Sequence, residues 1–163
     1  MTDKPEMAIA TGVPFEKWIL TLLHESCHLD QEFDKSIKEK REWWDKCCIN
    51  FFEWIGGRKQ MNQAQLDEAI RGTIDLELDC EKRTVAKIKK FNLGIDTKDY
   101  TQKANTYFFG YPIASELRKW TNWVYQQESI WSLAPEKFLP LEDYLLVPHD
   151  MHKAFHKYIK KAA

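Results

Sequence analysis

The fold is decided by residues 15–55, which read FEKWILTLLHESCHLDQEFDKSIKEKREWWDKCCINFFEWI. Apolar residues recur here at intervals of three and four, the spacing that places side chains on one face of an α-helix. Pro14 suits a first helical turn, and Gly56-Gly57 favours the end of a helix. The stretch therefore predicts one long amphipathic helix with a buried stripe of Phe15, Trp18, Ile19, Leu22, Leu29, Phe33, Ile37, Trp44, Cys47, Phe51 and Ile55.

The length of this helix is a constraint on the whole molecule. A straight helix over residues 15–55 would be about 60 Å long, whereas a compact chain of this size has a radius of gyration of about 15 Å. Either the helix breaks or the molecule is elongated. We predict a kink near residues 38–46, where a charged segment precedes the bulky pair Trp43-Trp44.

A second helix is predicted over residues 62–92, with Asn62 as a plausible N-cap and Gly94 just past its end. Glu77 is the one carboxylate that this pattern places inside, near the middle of the apolar stripe. A buried carboxylate must be paired, protonated or bound to a metal, because an isolated buried charge is costly. The stripe consists of Leu66, Ala69, Ile70, Thr73, Cys80, Thr84, Ile88 and Phe91.

The C-terminal half predicts a third helical region and a terminal helix. The third region begins near residue 97 and is interrupted at Gly110-Tyr111-Pro112, because proline breaks a backbone hydrogen bond inside a helix. It resumes from Ser115 and keeps a buried spacing as far as Trp131. The terminal helix is predicted over residues 150–160.

Length and composition limit the possible functions. The 163 residues, 44% of them hydrophobic, predict a single all-α domain over residues 1–163, a helical bundle of about four main helices with residues 1–12 as a flexible tail. A net charge of −1 gives no reason to expect a nucleic acid partner. We found no apolar run of membrane-spanning length and no signal-peptide core near the N-terminus, so we expect a cytoplasmic or other intracellular protein. The four cysteines form no CxxC pair and are expected to be reduced.

The motif His24-Glu25-Ser26-Cys27-His28 carries the clearest chemistry. It resembles the HExxH motif of zincin proteases, which would imply His24 and His28 as zinc ligands and Glu25 as the catalytic base. We found no family-specific motif for a third ligand downstream and no strand before the helix. The helical phase places both histidines opposite the apolar stripe, so we expect them to face solvent or a partner.

A second histidine pair lies near the C-terminus, in His152-Lys153-Ala154-Phe155-His156. This segment is similar to the closing HxxFH pattern of the chemoreceptor zinc-binding domain, a four-helix module that holds zinc with three histidines and one cysteine. Both pairs have the spacing that chelates a metal from one helix face. Four imidazoles from the first and last helices are therefore predicted to form one zinc or iron site, with Glu77 or a cysteine as a further ligand.

Three functions remain open on this evidence. The first is a non-catalytic helical interaction or structural module, either on its own or as a subunit of a larger assembly, which binds a protein partner through aromatic residues such as Trp54 and Trp123. The second is a metal-binding protein that uses the two histidine pairs. The third is an HExxH zinc hydrolase with Glu25 as base.

Overall fold

The computed structural model describes residues 12, 14–120 and 124–161. Over these ranges the chain is all-helical, with 78% helix and no strand, which confirms the predicted all-α class. The predicted N-terminal tail lies, apart from Gly12, outside the described residues. None of the helices in the described ranges combines the length and the apolar character needed to cross a bilayer.

Six α-helices follow one another along the described chain. Their bounds are α1 Phe15–Phe33, α2 Lys38–Ile55, α3 Gln63–Lys90, α4 Thr97–Leu117, α5 Glu128–Trp131 and α6 His149–Lys161, with short 3-10 turns at Lys35–Ile37, Val124–Gln126 and Leu141–Leu145. The longest of them, α3, packs against α1, α2 and α4. The helices predicted over residues 62–92 and 150–160 correspond to α3 and α6 within two residues at each end.

The long N-terminal helix is broken, but not at residues 38–46, through which α2 runs without interruption. The break lies at Asp34, whose backbone is extended and whose Oδ1 accepts a hydrogen bond from Ser36 N at 3.0 Å. Arg83 of α3 donates to Asp34 Oδ2 at 3.1 Å. The kink prediction relied on charge density, whereas aspartate side chains end helices by hydrogen bonding to the backbone two residues on.

Helix α3 starts with the predicted cap. Asn62 accepts from Gln65 N, and the Gln65 side chain accepts from Asn62 N, both at 3.0 Å, which completes a capping box. The predicted stripe of α3 is buried from Leu66 to Ile88, and only Phe91 at its end is exposed. The buried stripe of α2 is also confirmed at Trp44, Cys47 and Phe51.

Helices α2 and α3 approach each other closely at Gly72. A Cβ atom added to Gly72 would lie 2.4 Å from Cys47 Sγ and 2.5 Å from Cys47 Cβ. Because real Cβ atoms do not approach other atoms so closely, only glycine allows this separation of the two helices. The packing of α2 on α3 therefore requires a residue without a side chain at position 72.

The predicted interruption at Pro112 is wrong, since α4 continues through it to Leu117. The lost backbone hydrogen bond is outweighed because Tyr111, Ile113 and Ala114 around the proline are buried in the core. The predicted helix from Ser115 to Trp131 is also not present. Instead α4 ends at Leu117, and the capping residue Arg118 adopts a left-handed conformation with φ 49°.

Beyond α4, apolar residues reach the core from turns and short helices rather than from a continuous helix. Val124 and Ile130 are fully buried, and Trp120 packs against the same cluster. Trp54 also packs against this core, with Arg118 stacked 4.0 Å from its ring, so it does not form the free aromatic surface that we expected. Trp123, the other residue named for that surface, lies outside the described residues.

The close contact at Gly72 gives a first prediction. Gly72→Ala should lower the free energy of unfolding by about 1–3 kcal/mol, because the added methyl group must push α2 away from α3. Urea denaturation followed by circular dichroism measures this, with Lys82→Ala at an exposed position of α3 as the control. A Gly72→Ala protein as stable as the wild type would contradict the close approach of the two helices.

Candidate metal centre

Helix α1 meets α3 with a different face from the one its apolar pattern predicts. Leu23, Cys27 and Gln31 are buried against the rest of the protein, whereas Phe15 is 59% exposed and Phe33 is 66% exposed. The prediction that His24 and His28 face away from the protein is therefore wrong. The helix face that carries the histidines is the more polar face of α1. It packs on polar side chains of α3, which need hydrogen-bond partners that an apolar face could not provide.

Three ligand atoms converge between α1 and α3. His24 Nε2 and His28 Nε2 lie 3.1 Å apart, and Glu77 Oε2 lies 3.6 Å from the first and 3.8 Å from the second. A point equidistant from the three atoms lies about 2.0 Å from each, which matches zinc–nitrogen and zinc–oxygen bond lengths. The three side chains thus have the spacing of a metal ligand set.

One carboxylate oxygen of Glu77 has no hydrogen-bond partner in the described part of the protein. Its Oε2 atom is buried and forms no hydrogen bond, although buried polar atoms are almost always satisfied. Burial raises the pKa of Glu77 to about 7, and the charges of Glu81 and Glu25 contribute, against the opposing effect of His24. A cation bound between the histidines would satisfy this oxygen.

A second carboxylate, that of Glu81, contacts the other ring nitrogen of His24, Nδ1. Glu81 Oε1 lies 3.2 Å from His24 Nδ1, and Tyr100 donates its hydroxyl proton to Glu81. Burial lowers the pKa of His24, but the hydrogen bond to Glu81 and the charges of Glu81 and Glu77 outweigh it and raise the pKa to about 9. With Nδ1 donating to a carboxylate, Nε2 is the atom left for a metal, as in carboxylate–histidine–zinc arrangements.

An amide holds His28 in the same way. His28 Nδ1 lies 2.8 Å from Gln31 Oε1, while Gln31 Nε2 donates to Leu76 O at 3.1 Å and to Asp79 Oδ2 at 2.8 Å. Because the amide nitrogen has two acceptors, the amide oxygen must face His28, and Nδ1 must be the donor. Burial and the charge of His24 lower the pKa of His28, which favours the neutral ligand form.

Cys80 lies close to the centre but on the other side of the His24 ring. Its Sγ is 3.6 Å from His24 Nδ1 and donates to His24 O at 3.3 Å. Hydrogen bonding with Cys27 and burial raise the pKa of Cys80, so the thiol stays protonated. His24, His28 and Cys80 have ligand atoms within 4.8 Å of one another, but a metal held by both Nε2 atoms would meet Glu77 rather than this thiol.

The structure does not bring the four predicted imidazoles together. His152 and His156 of α6 lie beside Glu116 of α4, where they form a separate group. This follows from the packing, since α6 rests on α5 and the 124–126 turn whereas α1 rests on α3. Of the further ligands predicted, Glu77 joins the first histidine pair.

The centre is partly open to solvent. The side chain of His24 is 22% exposed, that of His28 is 28% exposed and that of Glu77 is 12% exposed. Glu25 is exposed beside them, and its negative charge helps to raise the pKa values of His24 and Glu77. Catalytic zinc sites keep an open position of this kind, whereas structural sites are closed by four protein ligands.

Comparison of the chain with protein-family models, with curated proteins and with solved structures finds no match. The chemistry that the centre can perform therefore follows from its own residues alone. Sequence reasoning named His24, His28, Glu25 and Glu77, but it missed Gln31, Glu81 and Tyr100. The i,i+4 spacing of Glu77 and Glu81 on α3 is the sequence signal that pairs the two carboxylates.

The hydrogen bond behind His24 gives a second prediction. Glu81→Gln should weaken Zn²⁺ binding about 10- to 100-fold, because the neutral amide no longer orients the His24 ring as a carboxylate does. Tyr100→Phe, which removes only the hydroxyl bonded to Glu81, should give a smaller loss. Competition with a chromophoric zinc chelator measures both affinities.

The control is Glu68→Gln, a carboxylate exposed on the same helix about 20 Å from Glu81 along its axis. Its zinc affinity should equal that of the wild type. If Glu81→Gln and Glu68→Gln bind zinc equally well, Glu81 does not support the ligand His24.

Proposed function

We propose that this chain is a zinc-dependent hydrolase, with His24, His28 and Glu77 as zinc ligands and Glu25 as the general base. The observation that carries the proposal is the convergence of two imidazole nitrogens and one unpartnered carboxylate oxygen at mutual distances of 3.1, 3.6 and 3.8 Å. Two histidines and one glutamate are the ligand set of thermolysin-type catalytic zinc sites.

Zinc fits the distances better than iron does. With bonds of about 2.1 Å, ligand atoms at adjacent positions lie about 3.4 Å apart around a tetrahedral ion and about 3.0 Å apart around an octahedral one. The three observed distances average about 3.5 Å, which favours the tetrahedral geometry. Non-haem iron with two histidines and one carboxylate prefers octahedral coordination, and it is the alternative metal for this site.

The remaining residues supply binding and proton transfer. When bound, zinc lowers the pKa of water and polarises a carbonyl oxygen. Glu25 follows His24 directly in the chain, is exposed, and lies close enough for its charge to raise the pKa of both His24 and Glu77. In the proposed reaction its carboxylate would accept a proton from water and return it to the leaving amine. Glu81 and Gln31 hold the two imidazoles through their Nδ1 atoms throughout. Peptide or other amide bonds are the substrate class that this chemistry suits.

A protein-interaction module is the second candidate function. It is favoured by the outward face of α1, which presents Phe15 and Phe33 with more than half of each side chain exposed. The two side chains lie at opposite ends of α1, about 27 Å apart along its axis, so each would make a separate apolar contact with a partner. Such a module would bind a protein partner whether or not α1 also carries a metal, and its function would survive the loss of Glu25.

Metal analysis and hydrolysis together give the third prediction. Untagged wild-type protein should hold about one tightly bound equivalent of zinc by plasma mass spectrometry, and His28→Ala should lose it because one of three ligands is gone. The zinc-loaded wild type should hydrolyse fluorescein-labelled casein. Glu25→Gln should keep the zinc and lose activity by a factor of about 100 or more, because it cannot accept the proton.

Glu32→Gln is the matched control, two turns further along the same helix, where Glu32 is exposed and pairs with Arg41. It should keep both zinc and activity. A wild-type protein that takes up neither zinc nor iron would overturn the metal centre, and a Glu25→Gln protein as active as the wild type would overturn the role of the base. Tight zinc without hydrolysis of casein or of a peptide library would leave the interaction module as the leading candidate.

A further inference from the structure

The second histidine pair meets a carboxylate of its own. His152 Nε2 lies 2.9 Å from Glu116 Oε2, and His156 Nε2 lies 3.4 Å from Glu116 Oε1. The imidazole rings are 4.3 Å apart between their centroids, and ligand atoms of all three residues lie within 4.8 Å of one another. The group has the composition of a two-histidine, one-carboxylate ligand set, contributed by α4 and α6.

One nitrogen atom of this group is buried without a hydrogen-bond partner among the described residues. His156 Nε2 is buried and has no hydrogen-bond partner in the described part of the protein, although it lies beside the carboxylate of Glu116. A buried imidazole nitrogen without a partner costs free energy, because it has given up water without replacing it. A cation placed between Glu116, His152 and His156 would satisfy this nitrogen.

We propose that Glu116, His152 and His156 form a second metal site, which binds a divalent transition ion such as Zn²⁺ independently of the first centre. Imidazole ligands select transition ions over Mg²⁺ and Ca²⁺, which prefer oxygen. The side chains of Glu116, His152 and His156 are 52%, 39% and 25% exposed, all but the last more than any ligand of the first centre. The second site is therefore the weaker of the two.

A metal in this site would crosslink the C-terminal end of α4 to α6. On its other face, α6 buries Met151 and Phe155 in the core, which fixes the position of the helix that carries the two histidines. Residues 118–148, which connect the two helices, contain only short helical segments among those the structure describes. A metal that bonds to both helices fixes their ends relative to each other across this long connection.

Zinc binding to the full chain tests the proposal. Equilibrium dialysis of the wild type against Zn²⁺ should give two bound equivalents, and His156→Ala and His28→Ala should each give one. His149→Ala is the matched control, because His149 begins the same helix, is exposed and belongs to neither group. It should bind two equivalents. Glu116→Gln, an exposed change that leaves the core intact, should weaken the second equivalent at least tenfold.

The outcomes separate this site from the proposed hydrolytic centre. One equivalent in the wild type, lost in His28→Ala and kept in His156→Ala, overturns the second site alone. One equivalent kept in His28→Ala and lost in both His156→Ala and Glu116→Gln establishes the second site and overturns the first. No zinc in any variant overturns both, and unchanged binding in Glu116→Gln overturns the role of that carboxylate.

Discussion

The orientation of α1, and with it the candidate metal centre, depends on the polar interface between α1 and α3. Gln31 and Glu81 are almost completely buried there, positions that apolar packing alone would give to hydrophobic residues. Buried polar groups cost free energy unless they are hydrogen bonded, and Gln31 is bonded to His28 while Glu81 is bonded to His24. Because these bonds form in only one rotation of α1, we infer that the network specifies which face of the helix meets α3.

The charges at this interface are coupled through His24. Glu77 and Glu81 stand one turn apart on α3, where two carboxylates repel each other, and His24 contacts both, at 3.6 and 3.2 Å. Burial acts in opposite directions on the two groups, since it lowers the pKa of His24 and raises that of Glu77, but the charges of Glu81 and Glu25 raise both. The proposed zinc ion would supply the positive charge that the proton on His24 otherwise supplies, so the residues that orient α1 are also those that would hold the metal.

How much of this can be predicted from sequence differs between the helices. Helices α2, α3 and α6 follow their apolar patterns because each buries its most hydrophobic face, and Glu77 was located correctly on the stripe of α3. Helix α1 does not follow its pattern, because hydrogen bonds to α3 outweigh the burial of Phe15 and Phe33. The break at Asp34 had a local signal in the Asp-Lys-Ser sequence, whereas its contact with Arg83 exists only in three dimensions.

The two histidine pairs show why spacing alone does not define a site. Both have imidazoles one turn apart, and both meet a glutamate from another helix. Among the residues that the structure describes, only the first pair has partners at its Nδ1 atoms, Glu81 and Gln31, which fix the tautomers so that both Nε2 atoms point at Glu77. These partners come from different positions on α3 and α1, so a five-residue motif cannot reveal them. The preorganised pair is therefore the one to which we assign chemistry, and the exposed pair is the one to which we assign a weaker, structural role.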